Sequence, residues 1–331
     1  DPTIINGGVI NSLENSAKLG KSEWSILESD ESDGSFVKVP STYAVITNID
    51  REHMDHYKSF NDLKRHFVKF MLKVPSFGKT FICLDDKNVR DICKKNKIKN
   101  ILTYGFSSES NFKIKNCLYK KKKSIFDIEM HLPNKKKTLL KKFEVPLIGS
   151  HNIKNSTAAI AVSYFIGISR TTLKNTLKNF KGVERRFNKI FNFNGAEIFD
   201  DYAHHPTEIR EVLSGVRNIY KEKKISCIFQ PHRISRLNDL KNEFCSSFKN
   251  ANSVILCPVY KAGENLKLNF NYYKFAKQIS EKSKVQVFFV NDQHELAKFL
   301  KYFLNKDKIA IGMGAGSISS WIKELPALMK K

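Results

Sequence analysis

The sequence predicts an α/β protein of two domains, each built around a mostly parallel β-sheet. Short segments rich in β-branched and apolar residues recur along the 331 residues, and most are followed by a helical pattern. The alternation restarts after Gly182, so we expect one domain in residues 1–182 and another in residues 183–331. A chain of this length can bury two cores of ordinary size.

The first domain is expected to alternate strands and helices and then to become rich in β-structure. Its predicted buried parallel strands lie at residues 24–28, 43–48, 80–84 and 101–106. A helix is predicted from Phe60 to Met71, where apolar residues recur at helical spacing. Short alternating strands at 111–145 predict a β-rich patch beside the main sheet, and a helix is expected at 152–166.

The second domain repeats the strand-and-helix alternation. Its predicted strands lie at residues 196–199, 225–229, 253–256, 285–290 and 309–311. In open parallel sheets, ligands bind outside the carboxyl ends of the strands. In both domains polar or glycine-rich segments follow predicted strands, at Glu28, Asn48, 200–201, 230–233 and 312–316. The chemistry is therefore expected at these ends.

Composition and charge narrow the class of protein. The net charge is +24, but the lysine runs at 120–123, 135–137 and 141–142 lack interleaved aromatic residues, so a solvated basic surface is favoured over a nucleic-acid site. No apolar run approaches the ~20 residues that span a bilayer. Six scattered cysteines without a CxxC pair indicate a reduced, cytoplasmic protein.

An acidic loop and a histidine predict a metal or phosphate site in the first domain. Residues 28–33 carry four carboxylates directly after a predicted strand, and His53 follows the next strand. Such a cluster is unfavourable unless solvent or a cation relieves the repulsion. A hard cation such as Mg²⁺ binds one or two carboxylates together with waters and phosphate. A solvated acidic loop is the alternative.

Two glycine- or asparagine-containing segments carry weaker signals. Asn152 and Asn155 open an alanine-rich helix, where Asn152 suits an N-cap and the pair suits adenine. The segment 312–317 resembles a dinucleotide fingerprint, but Ser317 replaces the third glycine and too little chain follows for the ribose-binding acid. We therefore expect a tight strand-to-helix turn and no NAD.

The second domain holds the densest constellation of polar residues. Residues 200–206 read Asp-Asp-Tyr-Ala-His-His-Pro, and the proline suits the first turn of a helix. Arg185 and Arg186 lie near the domain junction. Arg233 and Arg236 are three residues apart, so on one helical turn their guanidinium groups would face one pocket suited to a carboxylate.

In this order the motifs resemble those of the Mur ligases, the ATP-dependent amino-acid ligases of peptidoglycan precursor synthesis. The segments that carry the resemblance are 5–8, 28–33, 47–55, 151–155, 182–187, 200–208, 229–233, 260–264 and 314–316. They span essentially the whole chain. The resemblance implies an incomplete central ATPase domain at 1–182 and a carboxy-terminal Rossmann-like, amino-acid-binding domain at 183–331.

The resemblance also implies substrates, cofactors and roles. ATP with Mg²⁺ or Mn²⁺ would activate the carboxylate of UDP-N-acetylmuramate, and L-alanine would then be joined to it. Glu28 and His53 would bind the metal, Asn152 and Asn155 the adenine, Asp201 the ribose and Arg186 the phosphate end. Arg233 and Arg236 would hold the alanine carboxylate beside Tyr202, His205 and His232. Catalytic roles would fall on Glu28, His53, Arg186 and His205.

One departure from the family and three alternatives remain. The family binds the ATP phosphates on a glycine-rich loop that ends in Gly-Lys-Thr, and no such loop occurs here. The loop and a UDP-binding domain are therefore expected upstream, and residues 1–331 alone are expected to be inactive. The His-His-Pro segment is shared with the muropeptide tripeptide-recycling ligases, whereas Gln-Pro-His-Arg favours alanine addition. A metal-dependent phosphoesterase ranks lower, and a nucleic-acid-binding protein ranks last.

Overall fold

The computed structural model describes residues 1–120, 122–133, 136–266 and 271–330. It divides into two compact units, Asp1–Gly182 and Val183–Lys331. Both are α/β units, which confirms the predicted fold class. Lys121 and Lys135, from the predicted lysine runs, lie outside the described residues.

The first unit begins with a three-stranded sheet in the order β2-β1-β3. Its strands are β1 (Thr3–Ile10), β2 (Asn15–Lys18) and β3 (Ser25–Leu27). The strand predicted at 24–28 is present and pairs in parallel with β1. Its predicted burial is wrong, because Ile26 is 57% exposed and Leu27 is 39% exposed. It also does not join the larger sheet, since an apolar run does not specify its pairing partner.

The larger sheet of this unit has six strands in sequence order. They are β4 (Tyr43–Ile46), β5 (Lys79–Cys83), β6 (Ile101–Gly105), β7 (Phe112–Lys120), β8 (Lys123–Met130) and β9 (Thr138–Val145). The strands β4 to β7 are parallel, and β7 to β9 are antiparallel. The β-rich segment is therefore a continuation of the main sheet rather than a patch beside it.

Helices cover both faces of this sheet. They are α1 (Phe60–Leu72), α2 (Lys87–Lys95), α3 (Ser150–Phe165) and α4 (Arg170–Lys178), with a short 3₁₀ turn at Ser35–Lys38. Successive side chains of β5 point to opposite faces of the sheet. Phe81 therefore packs in one core with α3 and α4, and Ile82 packs in a second core with α1 and α2. Ser59 and Asp86 accept backbone N–H bonds at the starts of α1 and α2, so both helices begin where their capping residues allow.

The second unit has one six-stranded sheet in the order β10-β11-β15-β12-β13-β14. Its strands are β10 (Asn188–Phe193), β11 (Ala196–Asp201), β12 (Lys224–Phe229), β13 (Ser253–Leu256), β14 (Gln286–Phe289) and β15 (Lys308–Met313). Five of these were predicted and pair in parallel. The antiparallel edge strand β10 was not predicted.

The helices that the structure describes beside this sheet are α5 (Pro206–Ile219), α6 (Ile234–Asp239), α7 (Lys241–Cys245), α8 (Tyr272–Ser283), α9 (Gln293–Phe303) and α10 (Ile318–Leu328). Ile228 and Ile255 pack in one core with α9 and α10. Phe229 instead contacts Phe244 and Phe248, with ring centroids 5.4 and 5.3 Å away. The four inner strands β11, β15, β12 and β13 are thus buried on both faces.

Candidate active site

The candidate site of the second unit lies at the carboxyl edge of its sheet. Strand β15 pairs with both β11 and β12, and its last residue, Met313, is level with Asp201 and with Phe229. The segments that follow these three strands therefore begin side by side. This confirms the expectation that residues after Asp200, Phe229 and Gly312 meet at one edge.

Asp201 is buried at this edge, with 2% of its surface exposed. One carboxylate oxygen accepts the Ala203 N–H and the other accepts the Phe187 N–H, each at 2.8 Å. Burial raises the pKa of Asp201 to about 7, although these bonds and the nearby Arg186 act in the opposite direction. The carboxylate holds two loop segments in place, a role the sequence did not reveal. Its contact with ribose stays a prediction.

The His-His-Pro segment forms the start of α5. His205 is the N-cap, and its Nδ1 accepts the Thr207 N–H at 3.3 Å. The Glu208 carboxylate accepts the N–H groups of His204 and His205, at 3.0 and 3.2 Å. This is a capping box with histidine in the place of serine or threonine. His205 is buried, and its catalytic role stays a prediction.

His232 lies in a group of rings after β12. Its ring stacks on Tyr260 at 5.6 Å and meets the edge of His204 at 5.9 Å. Burial and the nearby Arg236 lower the pKa of His232 to about 4. Arg236 Nη1 lies 3.1 Å from His232 Nδ1. Because arginine can only donate, Nδ1 is the acceptor and the neutral ring carries its proton on Nε2.

The two arginines after β12 do not share a helical turn, so that part of the prediction is wrong. Helix α6 begins at Ile234, and Arg233 precedes it with φ 68° and ψ 132°. The reason is a parallel bridge between His232 and Tyr260, in which the Arg233 N–H binds the Tyr260 carbonyl at 2.8 Å. Arg236 lies on α6. Substrate binding by both arginines stays a prediction.

Arg185 and Arg186 lie around the ring of Tyr202. Their guanidinium carbons are 4.7 and 5.8 Å from its centroid. Arg186 Nη1 is 3.8 Å from the Glu208 carboxylate. Arg185 donates to the Gly314 carbonyl at 2.6 Å and lies 3.6 Å from the Asp200 carboxylate, so it is tied into the fold. Arg186 is the more exposed of the two, and its role in binding phosphate stays a prediction.

The glycine-rich segment forms the expected strand-to-helix turn. Gln230 accepts the Ile318 N–H at 2.9 Å and donates to Ser317 Oγ at 3.0 Å, which ties the start of α10 to the end of β12. A Cβ atom at Gly316 would lie 2.5 Å from Tyr260 Cγ and 2.6 Å from Gln230 Oε1. The glycine is therefore required by the close approach of Tyr260.

We expect Gly316→Ala to lower both stability and activity. The added methyl group must displace Tyr260 or Gln230, and overpacking of this kind costs about 1–3 kcal/mol. Displacing Tyr260 also removes the ring on which His232 stacks. Thermal unfolding and turnover of the intact protein would measure both effects. Gly167→Ala is the control, because its added Cβ meets no atom within 4 Å and only backbone strain at φ 94° remains. Turnover losses of equal size in both variants would contradict the argument.

The acidic loop of the first unit brings together a different carboxylate from the one predicted. His53 Nε2 lies 3.7 Å from the Glu31 carboxylate. Glu31, Glu52 and His53 each place a ligand atom within 4.8 Å of the others. Glu28 instead accepts the Gly7 N–H at 2.6 Å through Oε2. The predicted strands before Glu28 and His53 were expected to be neighbours in one parallel sheet, and this is wrong, because β3 and β4 lie in different sheets.

The two asparagines lie in the first turns of α3. Gly149 is the residue before this helix, so Asn152 is not its N-cap as the sequence suggested. The Asn152 amide donates to the Ile148 carbonyl at 2.7 Å and lies 3.0 Å from His151 Nε2. Asn155 is exposed three residues later, on the same side of the helix. Adenine binding by this pair stays a prediction.

Two α/β units with polar residues at the carboxyl ends of parallel strands are typical of a nucleotide-using enzyme. Residues 9–163 match the Mur ligase middle domain, and residues 185–316 match the glutamate ligase domain of the Mur ligases. The chain belongs to the Mur ligase family and is therefore the sequence of a ligase.

Individual relatives agree with this assignment. The chain is 60% identical over 329 residues to the UDP-N-acetylmuramate–L-alanine ligase of Pelagibacter ubique, covering 99% of this chain and 71% of that protein. Its fold is similar to the UDP-N-acetylmuramate–alanine ligase MurC of Thermotoga maritima, with a TM-score of 0.77 at 24% identity, covering 99% of this chain and 69% of that one. It is also similar to the MurF ligase of Thermotoga maritima in complex with ADP, with a TM-score of 0.69 at 17% identity and coverage of 96% and 69%.

Among the residues that the structure describes, no helix is long and apolar enough to cross a membrane. All six cysteines carry free thiols, and five of them are buried. The sixth, Cys117, is half-buried.

Proposed function

We propose that the protein joins L-alanine to UDP-N-acetylmuramate at the expense of ATP, in the synthesis of peptidoglycan precursors. The observation that carries the proposal is the 60% identity to a relative with that name, over 99% of this chain. The first unit would bind ATP and the second would bind the amino acid. ATP, a UDP-linked sugar and reduced thiols all suit the cytoplasm, where we place the reaction.

The proposed chemistry has two steps. A carboxylate is a poor electrophile, so the muramate carboxylate oxygen attacks the γ-phosphorus of ATP, and ADP leaves. The resulting acyl phosphate is attacked at its carbonyl carbon by the amine of L-alanine. The C–O bond to phosphate breaks, inorganic phosphate leaves, and the nitrogen loses a proton. The protein contributes mainly by positioning the reactants and neutralising charge.

The carboxyl edge of the second unit supports the amino-acid part of this proposal. Arg236 lies on α6 beside the neutral ring of His232, and Arg233 precedes it. Guanidinium groups bind a carboxylate with two parallel hydrogen bonds. With Nδ1 occupied by Arg236, His232 offers an Nε2–H donor at neutral pH. Tyr202 completes the proposed set, and we propose His205 as a nearby catalytic group.

We propose Asn152 and Asn155 for the adenine, Asp201 for the ribose and Arg186 for the phosphates. Because both oxygens of Asp201 already accept backbone N–H bonds, it would bind ribose through its remaining lone pairs. Gly-Lys-Thr occurs in residues 1–331 only at 78–80, where Pro75, Ser76 and Phe77 precede it instead of a glycine-rich loop, and Lys79 and Thr80 belong to β5. We therefore propose that the phosphate-binding loop and the UDP-binding domain belong to another segment of the same protein.

The acidic loop fits a bound Mg²⁺. Glu31, Glu52 and His53 offer two carboxylates and one imidazole within 4.8 Å of one another. Carboxylate oxygens suit Mg²⁺ and Mn²⁺. The Gly7 N–H contacts only the Oε2 atom of Glu28. Because Oε1 does not take part in that contact, we keep Glu28 as a proposed metal ligand. When bound, the metal would neutralise the negative charge of the phosphates.

The amino-acid requirement of phosphate release tests this function. We expect the intact protein, given ATP, Mg²⁺ and UDP-N-acetylmuramate, to release phosphate only when L-alanine is added. A muropeptide tripeptide in place of L-alanine should give little turnover. Preference for the tripeptide would assign the protein to the recycling ligases. Phosphate release from simple esters without an amino acid would instead indicate a phosphoesterase and contradict the proposal.

A further inference from the structure

Glu264 makes three contacts with the segment that carries the two proposed alanine-binding arginines. Its Oε2 accepts the N–H groups of Ile234 and Ser235, at 2.6 and 3.2 Å. Its Oε1 accepts the hydroxyl of Ser235 in a short hydrogen bond. Both carboxylate oxygens are therefore directed at the first turn of α6.

The helix that receives these contacts has no side-chain cap of its own. Arg233 stands at the N-cap and makes no capping hydrogen bond. The first N–H groups of a helix have no partner within the helix and must be satisfied from outside. Glu264 supplies that acceptor from a separate loop, 30 residues after Ile234 in the chain. Its negative charge also suits the positive end of the helix.

The backbone of Arg233 makes this support necessary. Its φ of 68° and ψ of 132° fall in a region of backbone conformation that residues other than glycine rarely adopt. Such residues persist only where the surrounding contacts determine their conformation. The N–H of Arg233 binds the Tyr260 carbonyl, and the Tyr260 N–H binds the Pro231 carbonyl, both at 2.8 Å. Glu264 holds the two residues that follow, so Arg233 is fixed from both sides.

A tight turn returns the chain from Tyr260 to Glu264. Ala262 and Gly263 have φ of 50° and 82°, and the Glu264 N–H binds the Lys261 carbonyl at 3.0 Å. The same short loop therefore carries the bridge to His232 at one end and the contact with α6 at the other. The loop holds the residues on both sides of Arg233.

We infer that Glu264 is a positioning residue that sets the affinity for the amino-acid substrate through Arg233 and Arg236. This inference rests on the function proposed above. Glu264 acts without touching the substrate, because its carboxylate is occupied by α6. Removing its charge loosens the first turn of α6 and the arginines on either side of that turn. ATP binding does not depend on this turn.

The test compares Glu264→Gln with wild type in the intact protein. The glutamine side chain has nearly the same size, but its amide nitrogen cannot accept the hydrogen bonds of α6. We expect KM for L-alanine to rise about tenfold to a hundredfold, because hydrogen bonds to charged groups are lost. KM for ATP should stay within about twofold. Ser235→Ala removes only one of the three contacts and should give a smaller rise.

The control is Glu281→Gln, which removes an exposed carboxylate on α8 of the same unit and should change neither KM. An unchanged KM for L-alanine in Glu264→Gln would overturn the inference. A lower melting temperature and lower kcat with every KM unchanged would make Glu264 a purely structural contact and would also overturn it. A wild-type protein whose phosphate release does not require L-alanine would instead overturn the proposed function, and the inference with it.

Discussion

Arg236→Ala and Arg233→Ala are expected to raise KM for L-alanine by about 30-fold to a few thousandfold, because truncating one member of a desolvated charged pair costs about 2–5 kcal/mol. KM for ATP should change little. Alanine keeps the Cβ atom, so the unusual backbone of Arg233 is no easier or harder to form in the variant. The change therefore reports the guanidinium group rather than the strain.

Steady-state kinetics with L-alanine and ATP varied separately would measure this effect. Arg210→Ala is the matched control, because Arg210 lies on α5 of the same unit and donates to Thr207 and Ser247. Arg236→Ala should also raise the pKa of His232, since the nearby guanidinium charge helps to lower it. An alanine KM within about twofold of wild type for both variants would show that the carboxylate binds elsewhere.

His53→Ala and substitution of the carboxylate that binds the proposed metal are expected to reduce turnover by about 100-fold or more, the loss typical of removing one charge-stabilising group. The structure makes a sharper comparison possible. Glu31 lies 3.7 Å from His53, whereas Glu28 is held by the Gly7 N–H. If the resemblance is right, Glu28→Gln has the larger effect. If the cluster of Glu31, Glu52 and His53 binds the ion, Glu31→Gln has the larger effect.

Titration of activity with Mg²⁺ would separate these outcomes. The variant that loses a ligand should need a higher Mg²⁺ concentration for half-maximal activity, and saturating Mg²⁺ should restore part of the rate. Glu109→Gln, which removes an exposed carboxylate of the first unit, is the control. An unaltered Mg²⁺ requirement in all three variants would exclude this loop as the metal site.

The sequence predicted the second sheet well because its strands are short, apolar and bounded by helices. Five of its six strands lie where expected, and their ends bring Asp201, Phe229 and Met313 level with one another. Burial of a whole parallel sheet requires continuous apolar runs, so its strands are visible in a single sequence. The strand β10 was missed because an edge strand with one exposed face carries a weaker pattern.

The sequence did not predict the details of the site, because they arise from contacts between residues far apart in the chain. Nothing near Arg233 indicates a positive φ, because the bridge to Tyr260 that requires it lies 27 positions later, from 233 to 260. The same holds for Glu264 and for the clash that makes Gly316 necessary. The apolar run before Glu28 showed that a strand forms there, but it could not show that the strand joins β1 rather than β4.

The fate of the carboxylate oxygen tests the central claim most directly. UDP-N-acetylmuramate labelled with ¹⁸O in its carboxylate would be turned over by the intact protein with ATP and L-alanine, and the released phosphate analysed by mass spectrometry. Formation of an acyl phosphate followed by attack of the amine transfers one labelled oxygen to each phosphate. We expect phosphate that carries one ¹⁸O atom. Unlabelled phosphate would show that water, not the muramate carboxylate, attacks ATP, and would contradict the proposed ligase mechanism.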